Sequence, residues 1–183
     1  MPYDLVSLKE PKNASTGVSD FVLIARLSDF VEGGVKCPVA PFVALGDKVK
    51  IATAHEFKEG RGFLKFITAP RKNQITAGSI GEFGFAKMDP KWEFVIPGSY
   101  AELHESISSL LNVPLILMLQ DSSCEENMWY QLGCDCLQAY ITAEFSTGTT
   151  ADNGIKGYKI VANCPSEAIR LYTAAGGPEL LAD

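Results

Sequence analysis

The sequence has few of the residues on which catalysis usually depends. Only two histidines, His55 and His104, occur in 183 residues. Neither lies in the serine, cysteine or aspartate pattern that is typical of a nucleophile and its base. The glycine-containing stretches do not join a strand to a helix, as a phosphate-binding loop must. The sequence therefore predicts no catalytic residue, no cofactor-binding residue and no cofactor.

Cysteine is present, but in a number and spacing that argue against its common structural uses. The five cysteines are Cys37, Cys124, Cys134, Cys136 and Cys164. An odd number without the spacing of a small secreted domain does not suit a disulfide framework. Cys134 and Cys136 would lie on the same face of a strand, whereas a zinc site usually has C-x-x-C pairs or histidines. We predict free structural thiols in a reducing cytoplasm and no metal site.

Long apolar runs are absent as well. The longest, residues 113–119, is too short to span a bilayer. The first twelve residues contain two acids, two lysines and two prolines, without the apolar centre of a secretory signal. We therefore expect a protein that is made in the cytoplasm and has no membrane partner.

Basic residues are missing from about a third of the chain. Residues 92–155 contain no Lys or Arg but nine Asp and Glu residues, whereas residues 48–72 contain seven basic residues and two acids. The net charge of −6 argues against a dedicated nucleic-acid-binding protein. The uneven layout indicates either two solvated surfaces of one domain or a self-complementary molecule, whose basic end meets the acidic face of another copy.

Strand patterns dominate the sequence that remains. Residues 21–27 and 114–121 are apolar runs typical of buried strands, and residues 48–57 alternate as a half-buried strand does. Residues 69–79 are rich in turn-forming residues. Further strand patterns occur at 63–68, 91–98, 128–133, 136–145 and 158–163. No internal repeat or linker is visible, and the length suits one domain.

One helix pattern stands in the middle of the chain, at residues 99–111. Ser99 and Glu102 fit an S-x-x-E capping box, and Asn112 and Pro114 suit the end of a helix. Its apolar stripe consists of Tyr100, Leu103, Ile107, Leu110 and Leu111. Such a helix must bury its stripe against a sheet. The sequence predicts a mainly β fold, a β-sandwich or barrel of two packed sheets with one flanking α-helix.

This order of elements resembles that of the major tail tube proteins of long-tailed bacteriophages. Those proteins are similar in fold to the tube proteins of contractile tails and of type VI secretion. The resemblance covers residues 21–172 and is carried by three segments. They are HEFKEGRGFLKF, FVIPGSYAELHESISSLLN with the strand that follows it, and STGTTADNGIKGYKI.

The resemblance implies a structural virion protein that is located in the tail and is made in the cytoplasm of the host bacterium. Six subunits would form a ring around a DNA-conducting lumen, and rings would stack head to tail, with other tail proteins as further partners. The implied parts are an N-terminal arm at 1–20, a single tube-like domain at 21–172 with an extended loop at about 55–74, and a C-terminal tail at 173–183. DNA would pass without specific binding, and acids such as Glu144 would suit an acidic lumen.

The segment 55–74 is expected to lie on a neighbouring subunit, because long loops in compact domains usually have a function. Exposed ion pairs are each worth only about 0–1 kcal/mol, so apolar burial would hold the ring together. The cations of the segment would instead set the register between subunits and the choice of partner. The predicted stacking residues are Lys58, Arg61, Lys65, Arg71 and Lys72. The alternatives that stay open are a phage capsid or decoration protein, a small-molecule-binding β-barrel or other binding module, and an enzyme.

Overall fold

The computed structural model describes residues 18–44, 46–82, 87–121, 128–148, 154–164 and 169–181. Most of the predicted N-terminal arm, residues 1–17, lies outside these ranges. The predicted C-terminal tail is described as far as residue 181.

Two sheets and one helix make up the described part of the chain. The first sheet contains β1 (Phe21–Arg26), β2 (Lys50–Ile51), β3 (Leu64–Ile67), β6 (Leu115–Gln120), β7 (Trp129–Leu132) and β10 (Arg170–Tyr172). The second contains β4 (Gln74–Ile80), β5 (Lys87–Pro97), β8 (Tyr140–Ser146) and β9 (Gly157–Asn163), and the helix α1 is Ala101–Leu110. The strand orders are β2-β10-β7-β6-β1-β3 and β4-β5-β9-β8. The predicted fold of two packed sheets with a flanking helix is confirmed, and it is an open arrangement rather than a closed barrel.

The central strands of the six-stranded sheet are buried on both faces. Their apolar runs are continuous because alternate side chains enter two different cores. In β1, Val22 and Ile24 pack in a first core between the two sheets. Leu23 and Ala25 pack in a second core on the opposite face, which side chains from residues 30–63 and 172–174 complete. The six-stranded sheet is therefore the middle layer of the molecule.

The helix α1 closes the first core. Leu103, Ile107 and Leu110 are buried as predicted, and Ile107 is only 1% exposed. Burying one such side chain contributes about 1.5–3 kcal/mol to folding. Tyr100 and Leu111 are exposed, so the buried stripe is narrower than predicted.

The predicted capping box is wrong. The helix begins at Ala101, its N-cap is Tyr100, and no side chain caps the first turn. The Ser99 hydroxyl instead forms a hydrogen bond with Nε2 of His104 at 3.1 Å. The predicted end of the helix is confirmed, since Asn112 has the left-handed φ of 60° that ends a helix.

Two segments have a secondary structure that differs from the one predicted for them. Residues 48–57 contain only the two-residue strand β2, because the chain then leaves the sheet and buries His55 against the second core. Residues 69–79, predicted as turns, contain most of β4, which pairs antiparallel with β5 from Gln74 to Ile80. Cross-strand pairing overrides the weak local strand preference there.

The range 55–74 is not an extended loop in this structure. Phe63 is buried, β3 pairs antiparallel with β1, and Thr68 and Ala69 are buried. The backbone N–H of Phe63 also donates to the carbonyl oxygen of Glu179 at 2.9 Å. The apolar residues that lie between the cations hold the segment against its own domain.

The described cysteines, Cys37, Cys134, Cys136 and Cys164, are free thiols, and Cys124 lies outside the described residues. Cys134 is buried whereas Cys136 is exposed, so the prediction that both face one side of a strand is wrong. The strand β7 ends at Leu132, and Gly133, with a φ of 93°, begins a turn.

Candidate assembly surfaces

The five cations that were predicted to direct stacking lie in three places. Lys58 and Arg61 flank the 3₁₀ turn Leu27–Asp29. The ammonium of Lys58 donates to the carbonyl oxygen of Ser28 at 2.7 Å, and Nε of Arg61 lies 3.9 Å from Oδ1 of Asp29. Both cations are therefore already engaged within their own subunit.

The other three cations belong to β3 and to the turn that follows it. Lys65 places its ammonium 4.4 Å from the ring centroid of Phe21. Arg71 and Lys72 are exposed in the connection between β3 and β4. In the described part of the chain neither of these two side chains takes part in an ion pair. Of the predicted stacking set, Arg71 and Lys72 remain best placed to meet a second molecule.

Two acids of the stretch without Lys or Arg, Glu93 and Asp121, also have partners within the chain. Glu93 forms ion pairs with Lys91 at 3.0 Å and with Lys159 at 3.7 Å. The hydrogen bond from Lys91 holds the pKa of the Glu93 carboxyl below its usual value. Asp121 accepts a hydrogen bond from the Tyr130 hydroxyl at 2.5 Å, and burial together with this contact raises the pKa of Tyr130 to about 12.

The remaining described acids of that stretch are exposed. They are Glu102 and Glu105 on α1, Asp135 after β7 and Glu144 on β8. Glu125, Glu126 and Asp152 lie outside the described residues. Glu144 is the directly opposite neighbour of Lys159 in the β8–β9 pair. The outward face of the four-stranded sheet thus carries two acids, Glu93 and Glu144, beside Lys91 and Lys159.

The edges of the four-stranded sheet are β4 and β8, which have seven residues each. Within the described ranges, β4 pairs only with β5 and β8 pairs only with β9. An edge strand presents a row of backbone N–H and C=O groups to which another strand can bind. Both edges of this sheet are therefore able to accept a strand from another molecule.

A two-stranded ribbon extends beyond the four-stranded sheet. The strand β5 pairs with β9 only from Lys91 to Pro97, whereas its pairing with β4 continues from Ala77–Pro90 to Ile80–Lys87. We name residues 77–80 and 87–90 the ribbon. Its Ile80 and Met88 are 46% and 40% exposed. A two-stranded hairpin is marginally stable alone in water, so this element gains from a further contact.

Sequence reasoning did not predict the ribbon, which follows the segment 55–74 in the chain. The signal that could have found it is the alternation of Ile75 and Ala77 with Gln74 and Thr76, which continues into a long strand pattern at 91–98. The Pro and Gly residues around it obscured that alternation.

A second exposed element is the apolar segment 38–44. Val39 and Val43 are 80% and 87% exposed. The segment is anchored at one end, because the backbone N–H groups of Val43 and Ala44 donate to the Asp47 carboxylate at 2.9 and 2.7 Å. A contiguous exposed apolar surface of this kind is characteristic of an interaction site.

One buried polar network supports this side of the molecule. The backbone N–H of Lys36 donates to Nδ1 of His55 at 3.0 Å, so Nε2 carries the proton and donates to Oε1 of Gln131 at 3.0 Å. The Gln131 amide in turn donates to the carbonyl oxygen of Gly133 at 3.0 Å. Burial lowers the pKa of His55 to about 4, so the ring is neutral. We interpret this network as structural.

The second histidine contacts a serine, which the sequence does not lead one to expect. His104 bonds Ser99 through Nε2 at 3.1 Å and the Tyr158 hydroxyl through Nδ1 at 2.5 Å. In a hydrolase triad a buried carboxylate orients the histidine, whereas here a phenol occupies that place. The contacts join α1 to β9, and we interpret them as a tether between the helix and the four-stranded sheet.

No family model matches the chain, and no curated protein or solved structure matches it.

Two further observations concern the described residues only. No group of three or more His, Cys, Asp and Glu side chains there is arranged to hold a metal ion. No helix there has the length and apolar character needed to cross a membrane.

Proposed function

We propose that this chain is the subunit of a tail tube, a structural virion protein that forms rings which stack around a DNA-conducting lumen. The resemblance in element order suggests this function, and the open four-stranded sheet supports it best. That sheet ends on both sides in seven-residue edge strands, β4 and β8. Edge strands left exposed favour edge-to-edge association.

In the proposed ring, β8 of one subunit pairs with β4 of the next. A heterologous contact of this kind closes into a ring when the rotation between subunits is a fraction of a full turn. The four-stranded sheets then form one continuous inner surface, and six subunits are the number that the resemblance implies. The six-stranded sheet, covered by the second core, faces outward.

The inner surface of such a ring suits the passage of DNA. Outside the ribbon, its outward-facing charges within one subunit are Lys91, Glu93, Glu144 and Lys159, two of each sign, and the ion pairs of Glu93 hold three of them close together. On the ribbon, Lys87 and Asp89 lie on the same face of β5 and add one charge of each sign. Strong phosphate binding needs a surplus of Lys and Arg. A balanced surface neither retains DNA nor specifies its sequence.

The ribbon is the proposed stacking element between rings. It projects beyond β9, carries the exposed Ile80 and Met88, and lacks a third strand within the described residues. Apolar burial would hold the rings together, and Arg71 and Lys72 would contribute to partner choice through exposed charge pairs.

A pair of substitutions on the ribbon tests this function. We expect Ile80→Glu combined with Met88→Glu to prevent the stacking of rings, because two carboxylates would have to be desolvated at the contact. The thermal midpoint should change little, since both side chains are already exposed in the subunit. Assembly is measured by light scattering and sedimentation of the purified protein, and folding by circular dichroism.

The matched control is Ile67→Glu, because Ile67 is an exposed isoleucine, 62% accessible, on β3 of the other sheet. This variant should fold and assemble like the wild type. Normal assembly of the ribbon variant, or equal loss of assembly in both variants, would contradict the proposed stacking contact.

A further inference from the structure

Two thiols from distant parts of the sequence meet beside the second core. Cys37 directly precedes the apolar segment 38–44, and Cys134 lies just after β7. Cys37 packs against the second core, of which the buried Cys134 is a member. Cys37 is partly exposed and Cys134 is buried. The contact thus joins the layer that covers the six-stranded sheet to the sheet itself.

A guanidinium completes this cluster. Arg170, the first residue of β10, is largely buried and places Nη1 3.8 Å from Sγ of Cys37. The same nitrogen donates to the carbonyl oxygen of Gly133 at 3.3 Å, which fixes the position of the guanidinium. The Arg170 guanidinium also lies close enough to Cys134 to lower the pKa of that thiol. A cation held beside a thiol stabilises the thiolate, which is the reactive form.

We propose that Cys37 and Cys134 form a redox-active dithiol site, which a low-molecular-weight disulfide such as oxidised glutathione converts to an intramolecular disulfide. The inference rests on the thiol pair and Arg170 alone, so it holds whether or not the chain forms tubes.

The electrostatics of the cluster favour this chemistry. The hydrogen bond from Cys37 and the Arg170 guanidinium lower the pKa of Cys134, while the contact with Cys134 raises the pKa of Cys37. The pair therefore loses its first proton more readily than an isolated cysteine does. Cys134 is the thiol of the pair that ionises first.

The reaction proceeds in two exchanges. The pair releases one proton to solvent, which leaves Cys134 as the thiolate. This thiolate takes the proton of the more accessible Cys37 as the Cys37 sulfur attacks one sulfur of oxidised glutathione and displaces a glutathione thiolate. Cys134 then loses its proton, and its thiolate attacks the Cys37 sulfur of the mixed disulfide and displaces the second glutathione. Two protein thiols are oxidised, one glutathione disulfide is reduced to two thiols, and the released protons balance the two glutathione thiolates.

The disulfide would join the start of the apolar segment 38–44 covalently to the end of β7. The new bond would connect residue 37 to residue 134 and close a long loop of the unfolded chain. Closing such a loop restricts the unfolded ensemble, so the oxidised chain should unfold at a higher temperature than the reduced chain.

The experiment uses the full chain, first reduced and then incubated with oxidised glutathione near neutral pH. Remaining thiols are alkylated, and peptides are mapped by mass spectrometry without reduction. We expect a Cys37–Cys134 cross-link in the wild type and in Cys136→Ser, whose thiol is exposed. Cys37→Ser and Cys134→Ser should lack the cross-link.

The wild-type map decides the proposal even if a variant does not fold. A cross-link that joins another pair, or a stable glutathione adduct on Cys37 without closure, would overturn it. The pH profile gives a second test on unaltered protein. We expect the rate to be half-maximal well below about pH 8.5, the ordinary pKa of a free cysteine. A midpoint at or above that value would contradict the role of Arg170.

Discussion

At the scale of single residues, burial keeps the imidazole ring of His55 neutral. His55 is 7% exposed and stacks on Tyr172 with 4.9 Å between ring centroids. Its two nitrogens are satisfied by Lys36 and Gln131, which fix one tautomer. Protonation of Nδ1 would break the first of these bonds and would leave a charge in the core.

This arrangement predicts a loss of stability in acid. The pKa of His55 is about 4 in the folded state, against an ordinary value of about 6.5. The unfolded chain therefore binds more protons between these values, and the free energy of unfolding falls as the pH drops below about 6.5. The expected loss is about 3 kcal/mol by pH 4.

The measurement is urea unfolding of wild type and His55→Gln across that range of pH. The variant is less stable at neutral pH because it cannot reproduce both hydrogen bonds, but the His55 contribution to its pH slope is gone. Taking the difference between the two proteins removes the effect of the carboxylates. Equal slopes in both proteins would show that His55 is not held neutral.

At the scale of elements, the helix shows how far periodicity alone can predict structure. The spacing of Leu103, Ile107 and Leu110 is sufficient to predict both the helix and its buried face. The capping box failed because the Ser99 hydroxyl has a competing partner, His104, that a local motif does not reveal. Local patterns predict an element well, but a side chain with two possible partners depends on tertiary structure.

The helix also carries a prediction about stability. Ile107→Ala should lower the free energy of unfolding by about 2–5 kcal/mol, because it removes apolar contacts in the first core and leaves a cavity. The matched control is Leu111→Ala, one residue past the helix and exposed, which should cost less than about 0.5 kcal/mol. Chemical denaturation measures both values. A mild effect of Ile107→Ala would mean that the helix does not seal the sandwich.

For the strands, the sequence pattern indicated some features of the fold and missed others. The apolar runs that became β1 and β6 indicate burial on both faces, and from them the presence of a second core could have been inferred. The ribbon could not be predicted with the same ease, because β4 owes its structure to pairing with β5 rather than to its own composition. Segment 55–74 was predicted as an extended loop because it is rich in charged residues, although Phe63 within it is buried.

At the scale of the whole molecule, the charge pattern did not reveal which charges already have partners within the chain. Lys58 and Arg61 contact their own subunit, and Glu93 is paired with two lysines, so less charge is available between copies than the sequence implied. The open edges β4 and β8 and the ribbon offer more for assembly than the charges do. Composition cannot reveal such features, because they depend on which strands end a sheet.

The central claim is that this chain builds stacked rings, and negative-stain electron microscopy of the purified wild-type protein tests it most directly. The proposed edge pairing of β8 with β4 predicts annular particles with a central opening. At higher protein concentration these should give stacks of constant diameter. Particles that stay monomeric as the concentration rises, or that form closed shells or trimers without a central channel, would contradict it.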